Sequence, residues 1–195
     1  MSRLSVLIAK PKMALGALLT VALAGAAVAG SGADFTASSA NPSNTFAAGT
    51  LSIDNSKQDA AILTASNLRP AGPSQTGTVD IKNTGSLSGA FTLTRGTPTD
   101  SDATNPLSAK LNLKVVDCGV WSGSNPPACG DGDDVVKYNN GTIAQMGTPG
   151  HLVTALGTFA ADEKHRYEFT VGLDGSAGNE YQGDNSSVGF TWVAA

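Results

Sequence analysis

Arg166-Tyr167-Glu168-Phe169-Thr170-Val171-Gly172-Leu173 decides the fold class. Tyr167, Phe169, Val171 and Leu173 are large and apolar, and the residues between them are charged, polar or glycine. Two is the period of a β-strand, whose side chains point alternately to opposite faces. The stretch therefore reads as a strand with one face in a core and one in water, the habit of antiparallel sheets. The same alternation recurs outward along the chain. Leu111, Leu113 and Val115 alternate with Asn112 and Lys114, and Phe91 and Leu93 with Thr92 and Thr94. Val79 and Ile81 alternate with Asp80 and Lys82. Near one end Ala47, Gly49, Leu51 and Ile53 alternate with Ala48, Thr50 and Ser52; near the other, Val188, Phe190 and Trp192 alternate with Gly189, Thr191 and Val193.

Turn chemistry separates these runs. Asn83-Thr84-Gly85 follows one strand, Asp174-Gly175 ends another, and Asn139-Asn140-Gly141 reads as a tight turn. Residues 57–67 read as either a short helix or a strand, and a helical turn is expected around 142–146. No long helical pattern, internal repeat or second domain is visible. The expected class is all-β: one domain, an antiparallel jelly-roll-like β-sandwich over residues 44–195, with short helical turns.

The first twelve residues carry Arg3, Lys10 and Lys12 and no acid, and residues 13–33 are uncharged and rich in Ala, Leu, Val and Gly. Ala27-Val28-Ala29 supplies small residues at both positions a signal peptidase inspects. This is the pattern of a secretory signal over 1–29, cut after Ala29. An uncleaved anchor needs about 20 apolar residues; the small-residue site favours cleavage. Removing three cations and no acid takes the formal charge from −4 to −7. An acidic surface argues against nucleic acid and against anionic membranes as partners. The expected location is secreted, at the cell surface or in an extracellular matrix.

Cys118 and Cys129 are the only cysteines. In an exported chain such a pair reads as a disulfide closing a Gly/Pro/Ser-rich loop. The spacing is not C-x-x-C, and neither histidine is near in sequence, so a metal or redox pair is the weaker alternative.

Little in the sequence points to catalytic chemistry, and no cofactor is expected. His165-Arg166-Tyr167-Glu168 contains H-x-x-E but not H-E-x-x-H. On a strand His165 and Glu168 face opposite ways, so His165 reads as a surface or strand-end residue. Asp131, Asp133 and Asp134 are a weak calcium candidate without EF-hand spacing. Trp121, in the cysteine loop, reads as a possible exposed ligand contact, and Trp192 as core.

Three segments together resemble the TasA/camelysin family of secreted bacterial matrix-fibre proteins. They are Asn44-Thr45-Phe46-Ala47-Ala48-Gly49-Thr50-Leu51-Ser52-Ile53; Leu68-Arg69-Pro70 followed by Gly77-Thr78-Val79-Asp80-Ile81-Lys82-Asn83-Thr84-Gly85-Ser86-Leu87; and residues 163–173 followed by Asn179-Glu180-Tyr181-Gln182-Gly183 and a closing strand to Trp192. The resemblance implies a jelly roll, export with a specialised signal peptidase, and assembly into extracellular fibres. It implies head-to-tail self-association, with accessory matrix proteins as further partners. In such fibres the mature N-terminus of one subunit becomes a strand in the next. Carried over, the donor lies in the N-terminal segment 30–43, at Gly32, Ala33, Asp34, Phe35, Thr36 and Ala37, with Phe35 the only large apolar anchor. The camelysin metalloendopeptidase label has no motif here to carry it, so no enzyme activity is expected. An extracellular glycan- or protein-binding module, with Trp121 and the acidic loop as its site, is the alternative.

Overall fold

The computed structural model describes residues 48–195. The signal at 1–29 and the donor residues Gly32 to Ala37 lie outside the described residues. Ten strands follow in chain order: β1 (Ile53–Asn55), β2 (Gln75–Asn83), β3 (Gly89–Arg95), β4 (Thr99–Asp100), β5 (Leu111–Val120), β6 (Val135–Thr142), β7 (Gly157–Phe159), β8 (Lys164–Leu173), β9 (Ser186–Ser187) and β10 (Phe190–Ala194). Two 3-10 turns, Leu107–Ala109 and Asn179–Tyr181, interrupt them. All strand pairs are antiparallel. One sheet runs β1-β2-β8-β5-β6, a second β10-β3-β7, and β4 and β9 form a ribbon. The fold is all-β, as the alternation predicts.

β8 sits at the centre of the larger sheet, and its apolar row explains why. Tyr167 and Phe169 are fully buried, and Val171 nearly so. Phe169 lies opposite Val115, and Val171 opposite Leu113. The smaller sheet closes over this row. Trp192 packs 6.1 Å edge-on to Phe169, Phe190 lies 4.8 Å from the same ring, and Phe91 stacks on Phe159 at 4.1 Å. Offset and edge contacts of this kind add to the burial of the rings. On the outer face Arg166 grips Asp80 of the adjacent strand through two hydrogen bonds, at 2.7 and 2.9 Å. The fork geometry matches the carboxylate and fixes register.

The Asn83-Thr84-Gly85 turn is built around a buried amide. Asn83 Nδ2 donates to the carbonyls of Leu87, Phe159 and Ala160, and its Oδ1 accepts from the Gly85 amide. Gly85 is required by proximity: a Cβ there would sit 2.3 Å from the Thr50 carbonyl.

Three expectations about elements are corrected. Residues 48–52 are irregular, and β1 begins only at Ile53; Thr50 and Ser52 meet the 84–87 turn through single backbone bonds instead of a ladder. Residues 57–67 are neither helix nor strand. They turn at 56–59 and then run as a strap. Asn139-Asn140-Gly141 is not a hairpin turn but lies inside β6. Leu113 pairs with Gly141 and Val115 with Tyr138, so β6 carries an extra residue there, a β-bulge. The helical turn at 142–146 is present as two bonds, from the Gln145 and Met146 N–H groups to the Thr142 carbonyl.

Cys118 and Cys129 form a disulfide. It closes the β5–β6 connection, a loop too polar and glycine-rich to bury a core of its own. No helix among the described residues is long and apolar enough to cross a membrane.

Two stability outcomes follow from this packing. Phe169→Ala is expected to cost about 3–5 kcal/mol, read as a shift in the urea midpoint; a loss under 1 kcal/mol would mean that the ring is not part of the core. Reducing the disulfide is expected to cost about 3 kcal/mol by the loop-entropy relation. Hydrogen exchange should then rise first in 118–135, and an unchanged melting temperature would show the bridge to be without effect.

Candidate functional site

The two sheets have unequal widths, and the difference leaves an edge and a groove. β10 pairs only with β3 among the described strands. Gly96 bonds to Gly189, and Ala90 to Ala195, so the groups turned inward to β3 belong to the odd-numbered residues of β10. By the alternation of an antiparallel ladder, the N–H and C=O groups of Phe190, Trp192 and Ala194 point outward. Below the Phe190 end lies a groove of about 890 Å³. Phe169, Val171 and Leu111 form part of its floor, and Phe190 and Val188 part of one wall. The opposite wall is the strap, residues 61–68.

The strap covers the core without joining a sheet. Ile62, Leu63 and Leu68 are half-buried against the core cluster. No backbone group of 61–68 pairs with another backbone group among the described residues. Gly77 permits the crossing, because a Cβ there would meet the Ile62 carbonyl at 2.3 Å. Asp59, Asn67 and Ala71, which flank or end the strap, adopt left-handed φ values of 57°, 55° and 52°. For Ala this conformation costs about 1–2 kcal/mol.

A second constellation lies inside the sandwich, where β5 leaves the core. Continuing the inward row of β5 one step past Val115 reaches Asp117, and continuing that of β8 one step before Tyr167 reaches His165. His165 is at the strand end, second in β8, but it is not a surface residue; its side chain is only 12% exposed. Its ring stacks on Phe159 at 4.1 Å. Nδ1 lies 3.0 and 3.1 Å from the two Asp117 oxygens, and Nε2 3.0 Å from Glu163 Oε1. Lys137 Nζ approaches Asp117 Oδ2 at 3.6 Å and donates to the carbonyls of Ala155 and Leu156. The Gly119 amide donates to Asp117 Oδ1 at 3.0 Å.

Burial opposes charge on His165, Asp117 and Glu163, but the mutual contacts win. Burial lowers the affinity of His165 for its proton, yet the hydrogen bonds and negative charges of Asp117 and Glu163 leave its pKa above the ordinary 6.5. Burial pushes Asp117 up, yet His165, the Gly119 amide and the Lys137 charge bring it below 3.8. Burial, then the Asp117 charge, drives the Tyr167 phenol far above its usual range.

The two carboxylates hold opposite nitrogens of one imidazole, so they do not converge with it on a shared cation position. No group of three or more His, Cys, Asp or Glu among the described residues is arranged to hold a metal. In the acidic loop Asp134 Oδ2 accepts from the Gly130 amide, and the Asp133 amide from its side approaches Asp131 Oδ1 at 3.4 Å. One face of the half-buried Trp121 ring is occupied: Lys164 Nζ sits 3.2 Å from its centroid, and Arg166 lies 5.5 Å away. Trp192 is core, as expected.

Sequence reasoning reached His165 but misplaced it, and it missed Asp117, Lys137, Glu163 and the strap. The signal for Asp117 and His165 was the alternation itself, carried one polar residue further. The chain matches no protein-family model and no curated protein.

The His165 cluster sets a pH profile. Its raised pKa contributes stability that is complete below 6.5 and lost as the pH rises through the folded value. The lowered Asp117 and Glu163 contribute stability present above 3.8 and 4.5 and lost as the pH falls through their folded values. Urea midpoints are expected to plateau between about pH 4.5 and 6.5 and decline on both sides. His165→Gln should flatten the alkaline decline; a decline of unchanged size would place its origin elsewhere.

Proposed function

We propose that this chain is a secreted structural protein, a subunit of cell-surface or biofilm-matrix fibres that assemble by donor-strand exchange. One observation carries the reading: among the described residues an unpaired β10 edge stands beside a groove lined on one side by a strap without backbone–backbone hydrogen bonds. An added strand there satisfies the outward groups of Phe190, Trp192 and Ala194, and its alternate side chains enter the groove. An edge of this kind is a template for another chain. The donor is the mature N-terminal segment, with Phe35 as the side chain that fills the groove. A donor at one end and an acceptor elsewhere on the same chain make a head-to-tail contact that does not close, so it grows into a filament. The jelly-roll connectivity, signal-peptidase processing and accessory matrix partners implied by the TasA/camelysin resemblance belong to this proposal. The disulfide is compatible with an extracellular location.

The test compares residues 30–195 with a chain beginning at Ala40, by sedimentation and electron microscopy at high concentration. Filaments are expected from the longer chain only. Filaments from both move the interface away from the N-terminus. Monomers from both across pH and salt would overturn the proposal in favour of a binding module.

A further inference from the structure

We infer that Lys137 and Asp117 condense within the folded chain to an isopeptide bond that joins β5 to β6. The geometry assembles an amine, a carboxyl group and an acid–base relay in one desolvated place. Lys137 is the extra residue of a bulge: Val115 pairs with Tyr138 and Val116 with Val136, so two steps of β6 oppose one of β5. A bulge re-aims a side chain. Here it turns Lys137, which is buried next to the still more buried Tyr138, toward the interior. The Lys137 and Asp117 side chains are 8% and 5% exposed, with Nζ 3.6 Å from Oδ2.

The surroundings suit the reaction atom by atom. As a free amine Lys137 has two N–H bonds, and two carbonyls are in place to accept them, Leu156 at 3.2 Å and Ala155 at 3.4 Å. The lone pair is then left for Asp117. On the carboxyl group, Oδ1 takes the Gly119 amide at 3.0 Å. That donor stabilises the negative charge that gathers on Oδ1 as the carbon becomes tetrahedral. His165 Nδ1 lies between the two oxygens, 3.0 Å from Oδ1 and 3.1 Å from Oδ2, within reach to donate to the departing Oδ2, and Glu163 holds the far nitrogen of the same ring. The bond from Nζ to Cγ forms, and the bond from Cγ to Oδ2 breaks. Of the three ammonium protons one stays on the amide, and two are relayed to Oδ2, which leaves as water. Nothing is oxidised or reduced, and no co-reactant is needed.

Two physical effects drive the step. Holding the reacting groups together replaces a bimolecular encounter, an advantage worth effective concentrations of roughly 10⁵–10⁸ M in well-oriented cases. Amide formation in water is held back because both partners ionise. In the interior those two charges are costly, and condensation removes both. The pH dependence of His165 then rests on Glu163.

The experiment is peptide mapping of the full chain after prolonged incubation in its folded state at neutral pH. Reduction of the disulfide and cleavage at Asp131 and Asp134 separate residue 117 from residue 137. The expected product is a pair of fragments still joined, lighter than their sum by one water, with the link located at 117 and 137 by tandem mass spectrometry. Lys137→Arg is expected to give two separate fragments. Unlinked fragments from the unaltered chain overturn the inference. So does a water loss mapped to a cyclised Asp131-Gly132 or Asp174-Gly175, or joined fragments that persist in Lys137→Arg. The readout does not depend on filament formation, so it stands or falls apart from the proposed function.

Discussion

The pairing of β5 with β8 is the constraint on which the rest of the structure depends. Leu113, Val115 and Asp117 face Val171, Phe169 and Tyr167 across one ladder. Shifting this register by one residue would turn every one of these side chains to the other face. Phe169 and Tyr167 then could not meet Trp192, and the smaller sheet would have nothing to close upon. The same register sets Asp117 beside Tyr167 and brings the start of β8, with His165, under Phe159. Core and polar cluster are therefore two stretches of one alternating row.

The fold class was legible in the sequence because period-two alternation reports burial directly. β2, β3, β5 and β8 contain the residues that the pattern picks out, and β10 contains Phe190 and Trp192 but begins after Val188. The failures have a common cause. Asn139-Asn140-Gly141 has the composition of a turn, yet β5 and β8 are long enough to hold it in the sheet as a bulge. Propensity is local, and the ladder that overrides it is made by residues distant in sequence. Residues 57–67 are ambiguous for a different reason. Ile62, Leu63 and Leu68 follow neither the period of a strand nor that of a helix, because they are apolar to roof a gap between sheets and not to share one face of a regular element.

The buried polar cluster was hidden by the rule that revealed the strands. A search for inward apolar residues stops where the row turns polar, at Asp117 and His165. Lys137 is harder still, since its inward direction comes from a bulge that no local composition announces. A buried polar network is tolerated only when its members satisfy one another. Here the contacts run from Lys137 through Asp117 and His165 to Glu163, drawing on three strands and the turn before one of them. The cluster was therefore legible as separate residues and invisible as a unit.

In the proposed assembly, the strap would guard the isolated chain against promiscuous partners. A bare sheet edge adheres to any extended peptide, because backbone groups are the same in every sequence. Residues 61–68 lie against the neighbouring groove through side chains alone, with Ile62, Leu63 and Leu68 as the attachment. A newcomer that offers only backbone has no means of replacing those three contacts. One that brings apolar side chains at matching intervals does. In that assembly discrimination would fall to the intruder's side-chain pattern, and the strained Ala71 would lower the cost of release once that pattern is met.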